Sequence, residues 1–224
     1  NLLFDVTLHA ATVLSTIVVL WSEVARLLRG LFSRRFNEEQ AYVLKLLLSM
    51  IPIGIVGFTL KDRLDALLES PAILLVVRCM LLVTAALLAF AYYAKPRQKA
   101  QLSYRDAFLI GVAQAVAALP GLSRSGSTIA TGLLLGNRKQ TVAQFSFLMV
   151  LAPILGETFL ELMKGNLGAQ AIGSAPLAAG FVAAFVVGCL ACKFMIEIVK
   201  RGKLVWFALY CAAAATVSIL SYLL

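Results

Sequence analysis

A run of small, hydroxylated and cationic residues interrupts the apolar part of the chain at residues 119–128, which read LPGLSRSGST. Arg124 lies in this run and has apolar segments on both sides. An arginine at membrane depth costs about 2.5 to more than 10 kcal/mol, so it needs an anionic partner or a water-filled cavity. A guanidinium can hold two phosphate oxygens at once. The run therefore predicts a site for a phosphate group.

The backbone of the same run favours anion binding. Pro120 and Gly121 end one short helix, because proline lacks an N–H donor and glycine tolerates left-handed backbone. The next helix would begin near Ser125, and its N-terminus offers free N–H groups and partial positive charge. Ser123, Ser125 and Thr128 could donate hydrogen bonds, cap the helix or, in one case, attack phosphorus. The alternative is a serine-rich helix cap beside an arginine that reaches toward water.

The composition is that of a helical membrane protein. Of the 224 residues, 61% are hydrophobic, whereas soluble domains contain about 45–50%. The net charge of +9 does not indicate nucleic-acid binding, because most Lys and Arg lie in short loops between apolar segments, where they set membrane topology. The four cysteines lie in apolar stretches, where buried small hydrophobic residues are expected rather than a metal site.

The apolar stretches predict an all-α polytopic membrane protein with about six spanning helices. Two shorter apolar pieces, 104–119 and 126–136, are joined by the turn that carries Arg124. Such a short–break–short pair is typical of a re-entrant hairpin, which requires surrounding protein or water. The predicted spanning helices cover residues 4–22, 42–60, 72–94, 145–163, 176–199 and 204–224.

Charge asymmetry of the loops predicts an inverted-topology repeat. The cationic loops are placed in the cytoplasm, so helices 4–22 and 145–163 cross the membrane in opposite directions. We divide the chain into a first repeat, 1–94, and a second, 95–224, which includes the hairpin 104–136. Symmetry then predicts a partner hairpin of roughly 40 residues before Asn1.

Several other polar residues lie in the apolar segments. Gln114 could hydrogen-bond to the 119–128 turn or to a substrate. Arg78 could pair with a carboxylate or support the phosphate group through contacts with the residues that bind it. His9 is expected to be a buried, hydrogen-bonded helix residue. Glu157 and Glu161 lie one helical turn apart, and are expected to be solvated at the outer membrane edge.

The segment from Tyr104 to Thr128 resembles the second signature of the bacitracin-resistance type undecaprenyl-diphosphate phosphatases. The similarity continues at residues 145–148, 4–9 and 50–57 and covers essentially the whole chain. It implies a bacterial inner-membrane enzyme that removes the terminal phosphate of a C55 polyprenyl diphosphate, which recycles the lipid carrier of peptidoglycan synthesis.

The resemblance also implies roles for individual residues. Arg124 would hold the diphosphate, with Ser123 and Ser125 beside it in the catalytic site. The residues implied in substrate binding are Gly121, Gly126, Ser127, Thr128 and Gln114.

One part of the family pattern is absent. The family's first signature, a Glu-x-x-x-Glu run leading into Pro-x-Ser-Ser-Thr-Gly-His, does not occur in this chain. Its glutamates and histidine are the family's candidates for metal binding and for base or nucleophile. We therefore expect a divalent cation, Mg²⁺ or Ca²⁺, with ligands in the segment before Asn1 and no metal ligand in this chain.

The expected partners are the polyprenyl diphosphate, membrane lipids and a second copy of the chain, with no nucleic acid. Small residues at 212–215 permit close helix packing, either internally or in a homodimer. Two other functions fit the same residues: a polyprenyl-phosphate transporter or flippase, because inverted repeats with broken helices are a transporter architecture, and a catalytically inactive lipid-diphosphate-binding protein. Release of inorganic phosphate separates the enzyme from both.

Overall fold

The computed structural model describes residues 2–33, 35–93, 99, 101–163 and 174–223. These described residues form ten α-helices. The first five are α1 (Leu2–Val19), α2 (Trp21–Leu31), α3 (Glu38–Thr59), α4 (Lys61–Leu68) and α5 (Ile73–Tyr93). The remaining five are α6 (Tyr104–Val116), α7 (Arg124–Leu134), α8 (Lys139–Met163), α9 (Ser174–Arg201) and α10 (Leu204–Leu223).

The long helices have the length and composition of membrane helices. Among the described residues, α3, α5 and most of α9 are each long and apolar enough to span a bilayer, and the α1–α2 pair would make a fourth span if it is counted as one. Leu204–Leu220 is a shorter apolar helix. Many large apolar side chains on these helices are exposed, such as Ile55, Leu74 and Leu190. Lipid can cover this surface, as expected of a multi-pass membrane protein.

The structure breaks the helix predicted over residues 4–22. α1 ends at Val19, and α2 begins at Trp21 at an angle of 85° to it. Two features account for the break. Thr12 and Thr16 donate their hydroxyls to carbonyls one turn back, a bond that often bends helices. The chain then becomes amphipathic from Ser22 onward, so it cannot continue through hydrocarbon.

The two short helices predicted around the polar turn are present, with shifted ends. α6 is capped by Ser103, whose hydroxyl accepts from the N–H of Asp106 at 3.0 Å. α7 begins at Arg124, because Ser123 caps it by accepting from the N–H of Gly126 at 3.1 Å. α6 and α7 pack against each other and α7 packs against α5.

The helices group into two compact units. The first comprises residues 1–44 and 147–197, and the second residues 45–146 and 198–224. In the first unit, α9 packs against α1 through Gly180, which faces Phe4, and Gly188, which faces Ser15. In the second unit, α5 packs against α10 and α7, and this unit contains the whole 119–128 turn.

Several predictions about topology are not tested by these helices alone. Six spans, the re-entrant hairpin, the inverted repeat and the division at residue 94 stay predictions. Parts of the loops used for the topology, residues 94–98 and 164–173, lie outside the described residues. The side chains of Glu157 and Glu161 lie outside them as well.

Candidate functional site

The turn between α6 and α7 lies directly on the backbone of α5. Gly121 has φ +91°, a conformation that side chains disfavour. A Cβ at Gly121 would lie 2.6 Å from the carbonyl oxygen of Val77 and 2.7 Å from its Cα. Both the backbone angle and the close approach to α5 therefore require glycine at position 121.

A second anchor joins the turn to α5 through Thr84. The N–H of Ser123 donates to Thr84 Oγ1 at 3.1 Å, and that hydroxyl donates to the Met80 carbonyl at 3.0 Å. Thr84 lies two helical turns after Val77, so both anchors are on one face of α5. Sequence reasoning missed Thr84. The available signal was that Thr84 is the one serine or threonine in the strongly apolar helix α5.

The N-terminus of α7 has the properties of an anion site. Its N–H groups at Gly126 and Ser127 are already taken, by the hydroxyl and the carbonyl of Ser123. The N–H groups of Arg124 and Ser125 have no acceptor among the described residues. A partial positive charge and free donors at a helix N-terminus favour an anion such as phosphate.

Three side chains reach the open side of this N-terminus. Ser123 is exposed, and Arg124 and Ser125 are partly exposed. The Arg124 guanidinium has no hydrogen-bond or ion-pair partner among the described residues. A cation placed at the positive end of a helix is electrostatically unfavourable, so an unpaired arginine here fits an anion-binding role better than a stabilising one.

The other predicted site residues lie below this surface. Thr128 is fully buried and donates its hydroxyl to the carbonyls of Arg124 and Ser125, at 3.1 and 3.2 Å. Thr128 therefore holds the first turn of α7. Ser127 is buried as well, and a Cβ at Gly126 would lie 2.9 Å from Ser123 Oγ. Their binding roles stay predictions, and their observed contacts shape the turn.

Some buried polar side chains of the second compact unit have no hydrogen-bond partner within the described part of the chain. These are the hydroxyls of Ser127 and Ser146 and both amide atoms of Gln114. An unpaired buried polar group costs about 1–3 kcal/mol, and buried water commonly satisfies such groups. Gln114 on α6 and Ser127 on α7 thus place polar groups in the interior of two helices that pack together.

A cluster of polar residues closes the other end of the α6–α7 pair. Asp106 accepts from Asn137 Nδ2 at 3.2 Å and from Lys99 Nζ at 3.4 Å. The backbones of Lys99 and Asn137 form a short parallel bridge. Burial acts to raise the pKa of Asp106, but hydrogen bonds from Asn137, Ser103 and Lys99, with the charge of Lys99, outweigh it and leave the pKa below its ordinary value. Sequence reasoning did not foresee this contact.

Arg78 and His9 are the remaining polar candidates. Arg78 is buried and its Nε donates to Ser218 on α10 at 3.0 Å. His9 is partly exposed, and its buried Nδ1 has no partner within the described residues. No group of three or more His, Cys, Asp or Glu side chains that could hold a metal occurs among the described residues.

Comparison with known proteins gives a consistent family match. The model of the family described as "Bacitracin resistance protein BacA" matches residues 1–217. An undecaprenyl-diphosphatase of Parabacteroides distasonis is 60% identical, over 100% of this chain and 85% of the relative. One from Bacteroides thetaiotaomicron is 57% identical over the same shares. A more distant one, from Oceanobacillus iheyensis, is 31% identical over 94% of the chain and 79% of the relative.

Proposed function

This chain belongs to the bacitracin resistance protein BacA family, and we propose that it is a membrane phosphatase that hydrolyses undecaprenyl diphosphate to undecaprenyl phosphate and inorganic phosphate. Relatives that are 57–60% identical over nearly the whole chain are undecaprenyl-diphosphatases. The observation that carries the site is the unpaired Arg124 at the open N-terminus of α7. The reaction regenerates the lipid carrier of cell-wall synthesis.

The geometry suits charge neutralisation at the terminal phosphate. In the hydrolysis, the oxygen of water becomes bonded to the terminal phosphorus, and the bond from that phosphorus to the bridging oxygen breaks. Charge on the phosphoryl oxygens must be stabilised throughout this displacement. The Arg124 guanidinium and the free N–H groups of Arg124 and Ser125 supply that stabilisation.

The two exposed serines take different parts in this proposal. Ser123 Oγ accepts from the helix, so its remaining proton can be donated to a phosphate oxygen. The side-chain hydroxyl of Ser125 has no hydrogen-bond partner among the described residues, which leaves it available as donor or nucleophile.

A divalent cation is part of the proposal, although no group of three or more candidate ligands occurs among the described residues. Its carboxylate ligands would belong to residues other than those described. Activity that is lost with a chelator and restored by Mg²⁺ or Ca²⁺ would support this requirement. Activity that is unchanged by the chelator would remove it.

The same proposal includes the placement in the membrane. α6 and α7, with 13 and 11 residues, are too short to span a bilayer, which needs about 20. Their joining turn is anchored on α5, as a re-entrant hairpin requires. We place this hairpin in the second of two inverted repeats, in a protein with about six spans in the bacterial inner membrane. Homodimerisation stays a prediction.

The test is release of inorganic phosphate from a long-chain polyprenyl diphosphate by the purified protein in detergent. Proteoliposomes loaded with the same lipid provide the second measurement, because a transporter would move labelled lipid between leaflets without releasing phosphate. Phosphate release with a matching amount of monophosphate product is the expected result. Transbilayer movement or tight binding without release would refute the hydrolase.

A further inference from the structure

A cavity distinct from the 119–128 turn lies in the first compact unit, beside the bent helix α2. Its volume is about 630 Å³, within the range of small-molecule sites. It lies between the exposed face of α2 and the first turn of α3. Its lining residues are Trp21, Ser22, Ala25, Arg26, Arg29, Gly30 and Glu39.

The character of α2 favours a position at a membrane surface. In the sequence, α2 follows the apolar helix α1, precedes the apolar helix α3 and turns 85° away from α1. It carries exposed apolar side chains, with Trp21 60% and Leu28 50% exposed, next to arginines. Amphipathic helices of this kind lie in the interface between headgroups and acyl chains. In that position, phospholipid headgroups would surround the cavity.

The charges in the cavity are of both signs. Arg26 is paired with Glu23 at 2.8 Å, so its charge is largely compensated. Arg29 and Glu39 have no hydrogen-bond or ion-pair partner among the described residues, including each other. One free cation and one free anion in a single cavity complement a ligand that carries both a phosphate and an amine.

The walls of the cavity are fixed by hydrogen bonds. Asn37 Nδ2 donates to the Gly30 carbonyl at 2.8 Å, and Gln40 Nε2 donates to the carbonyls of Leu31 and Ser33 at 3.1 and 2.9 Å. The Glu39 side chain lies over Gly30, where a Cβ would collide with it. The end of α2 and the start of α3, which carry Arg29 and Glu39, are thus joined before any ligand binds, which lowers the entropy cost of binding.

From this geometry we propose that the α2 cavity binds the headgroup of a zwitterionic, primary-amine phospholipid, phosphatidylethanolamine. The Arg29 guanidinium holds the headgroup phosphate and the Glu39 carboxylate accepts hydrogen bonds from the ammonium group. Phosphatidylcholine has no N–H to donate to Glu39, and phosphatidylglycerol has no cation to pair with it. Neither lipid satisfies both side chains.

Native mass spectrometry of the purified protein tests this site. The protein is exchanged into detergent with equal amounts of phosphatidylethanolamine, phosphatidylcholine and phosphatidylglycerol that share the same acyl chains. We expect about three- to fivefold more retained phosphatidylethanolamine than phosphatidylcholine, the ratio that one partly exposed, charge-assisted hydrogen bond supplies. Equal retention of the three lipids by the wild-type protein would overturn the proposal.

Two variants assign the selectivity to the two charges. Glu39→Gln should abolish the preference for the amine headgroup over choline, and Arg29→Gln should lower retention of all three lipids. Arg63→Gln, at an exposed cation of α4, is the matched control and should change neither. Phosphate release should be retained in all three variants, which shows that they fold. An unchanged lipid preference in Glu39→Gln would refute the site.

Discussion

The role of Arg124 gives the most direct prediction. Arg124→Ala removes a guanidinium that is partly exposed and unpaired among the described residues. Because no buried partner loses its bond, the change should alter the free energy of unfolding by no more than about 0.5 kcal/mol. A cation at the first position of a helix opposes the helix dipole, so a small stabilisation is also consistent with the structure.

The expected effect on catalysis is much larger. A guanidinium that holds two phosphate oxygens makes two charge-assisted hydrogen bonds, each contributing about 1.5–3 kcal/mol. Partial exposure favours the lower value, so the transition state should lose about 3–4 kcal/mol. That loss corresponds to a fall of about 10²- to 10³-fold in kcat/KM. Arg124→Lys keeps the charge without the planar guanidinium, so its kcat/KM should lie between those of the wild type and Arg124→Ala.

The assay is steady-state phosphate release from polyprenyl diphosphate, measured beside thermal unfolding of the same preparations. Arg105→Ala is the matched control, since Arg105 is an exposed cation in the first turn of α6. It should retain near wild-type kcat/KM. A kcat/KM for Arg124→Ala within about threefold of wild type would refute the phosphate site at α7. An equal loss in Arg105→Ala would show a general charge effect instead.

Three further substitutions test how the site is held. Thr84→Val removes the acceptor of the Ser123 N–H and should cost about 1–3 kcal/mol of unfolding free energy, with reduced phosphate release. Gly121→Ala forces a side chain into φ +91° against α5. The resulting backbone strain should cost about 1–3 kcal/mol of unfolding free energy and should therefore lower Tm. Asp106→Asn should cost about 0.5–1 kcal/mol near neutral pH, discounted because Lys99 is 44% exposed. The pKa of Asp106 in the folded protein is below its ordinary value of 3.8. The ionised carboxylate therefore stabilises the fold above pH 3.8, and this stabilisation is lost as the pH falls through the lowered pKa.

Each of these substitutions has its own control. Thr84→Ser retains the hydroxyl and should restore most of the activity that Thr84→Val loses. Gly57→Ala adds a Cβ where no atom lies within 4 Å, so its Tm should not fall. For Asp106→Asn, denaturation is followed between neutral and acidic pH. A stability gap that persists in acid would show that the effect does not come from the ionised carboxylate.

The local character of the chain was readable from the sequence. Long apolar stretches predicted the helices around α3, α5 and α9, because a bilayer requires about 20 apolar residues in a helix. Pro120 and Gly121 predicted the turn, because these residue types act on their own backbone. Arg124 and its neighbouring hydroxyls indicated phosphate, because that chemistry depends on residue type alone.

The bend at Leu20 was beyond this reasoning. The apolar run extends past the end of α1 through Leu20 and Trp21, and the change of direction depends on which surface the amphipathic helix α2 packs against. Hydrophobicity measures whether a segment prefers hydrocarbon. It does not specify the residue at which a helix ends or bends.

The tertiary structure decided which polar residues face outward and what holds them. Ser123 is exposed and Ser125 is partly exposed, whereas Thr128 is buried and donates its hydroxyl to the helix backbone. Thr84 anchors Ser123, which lies 39 positions away in the sequence, and Asp106 bonds to Asn137, which lies 31 positions away. Such contacts depend on the rotation and register of one helix against another, which follow from packing over the whole unit and not from any local pattern of residues.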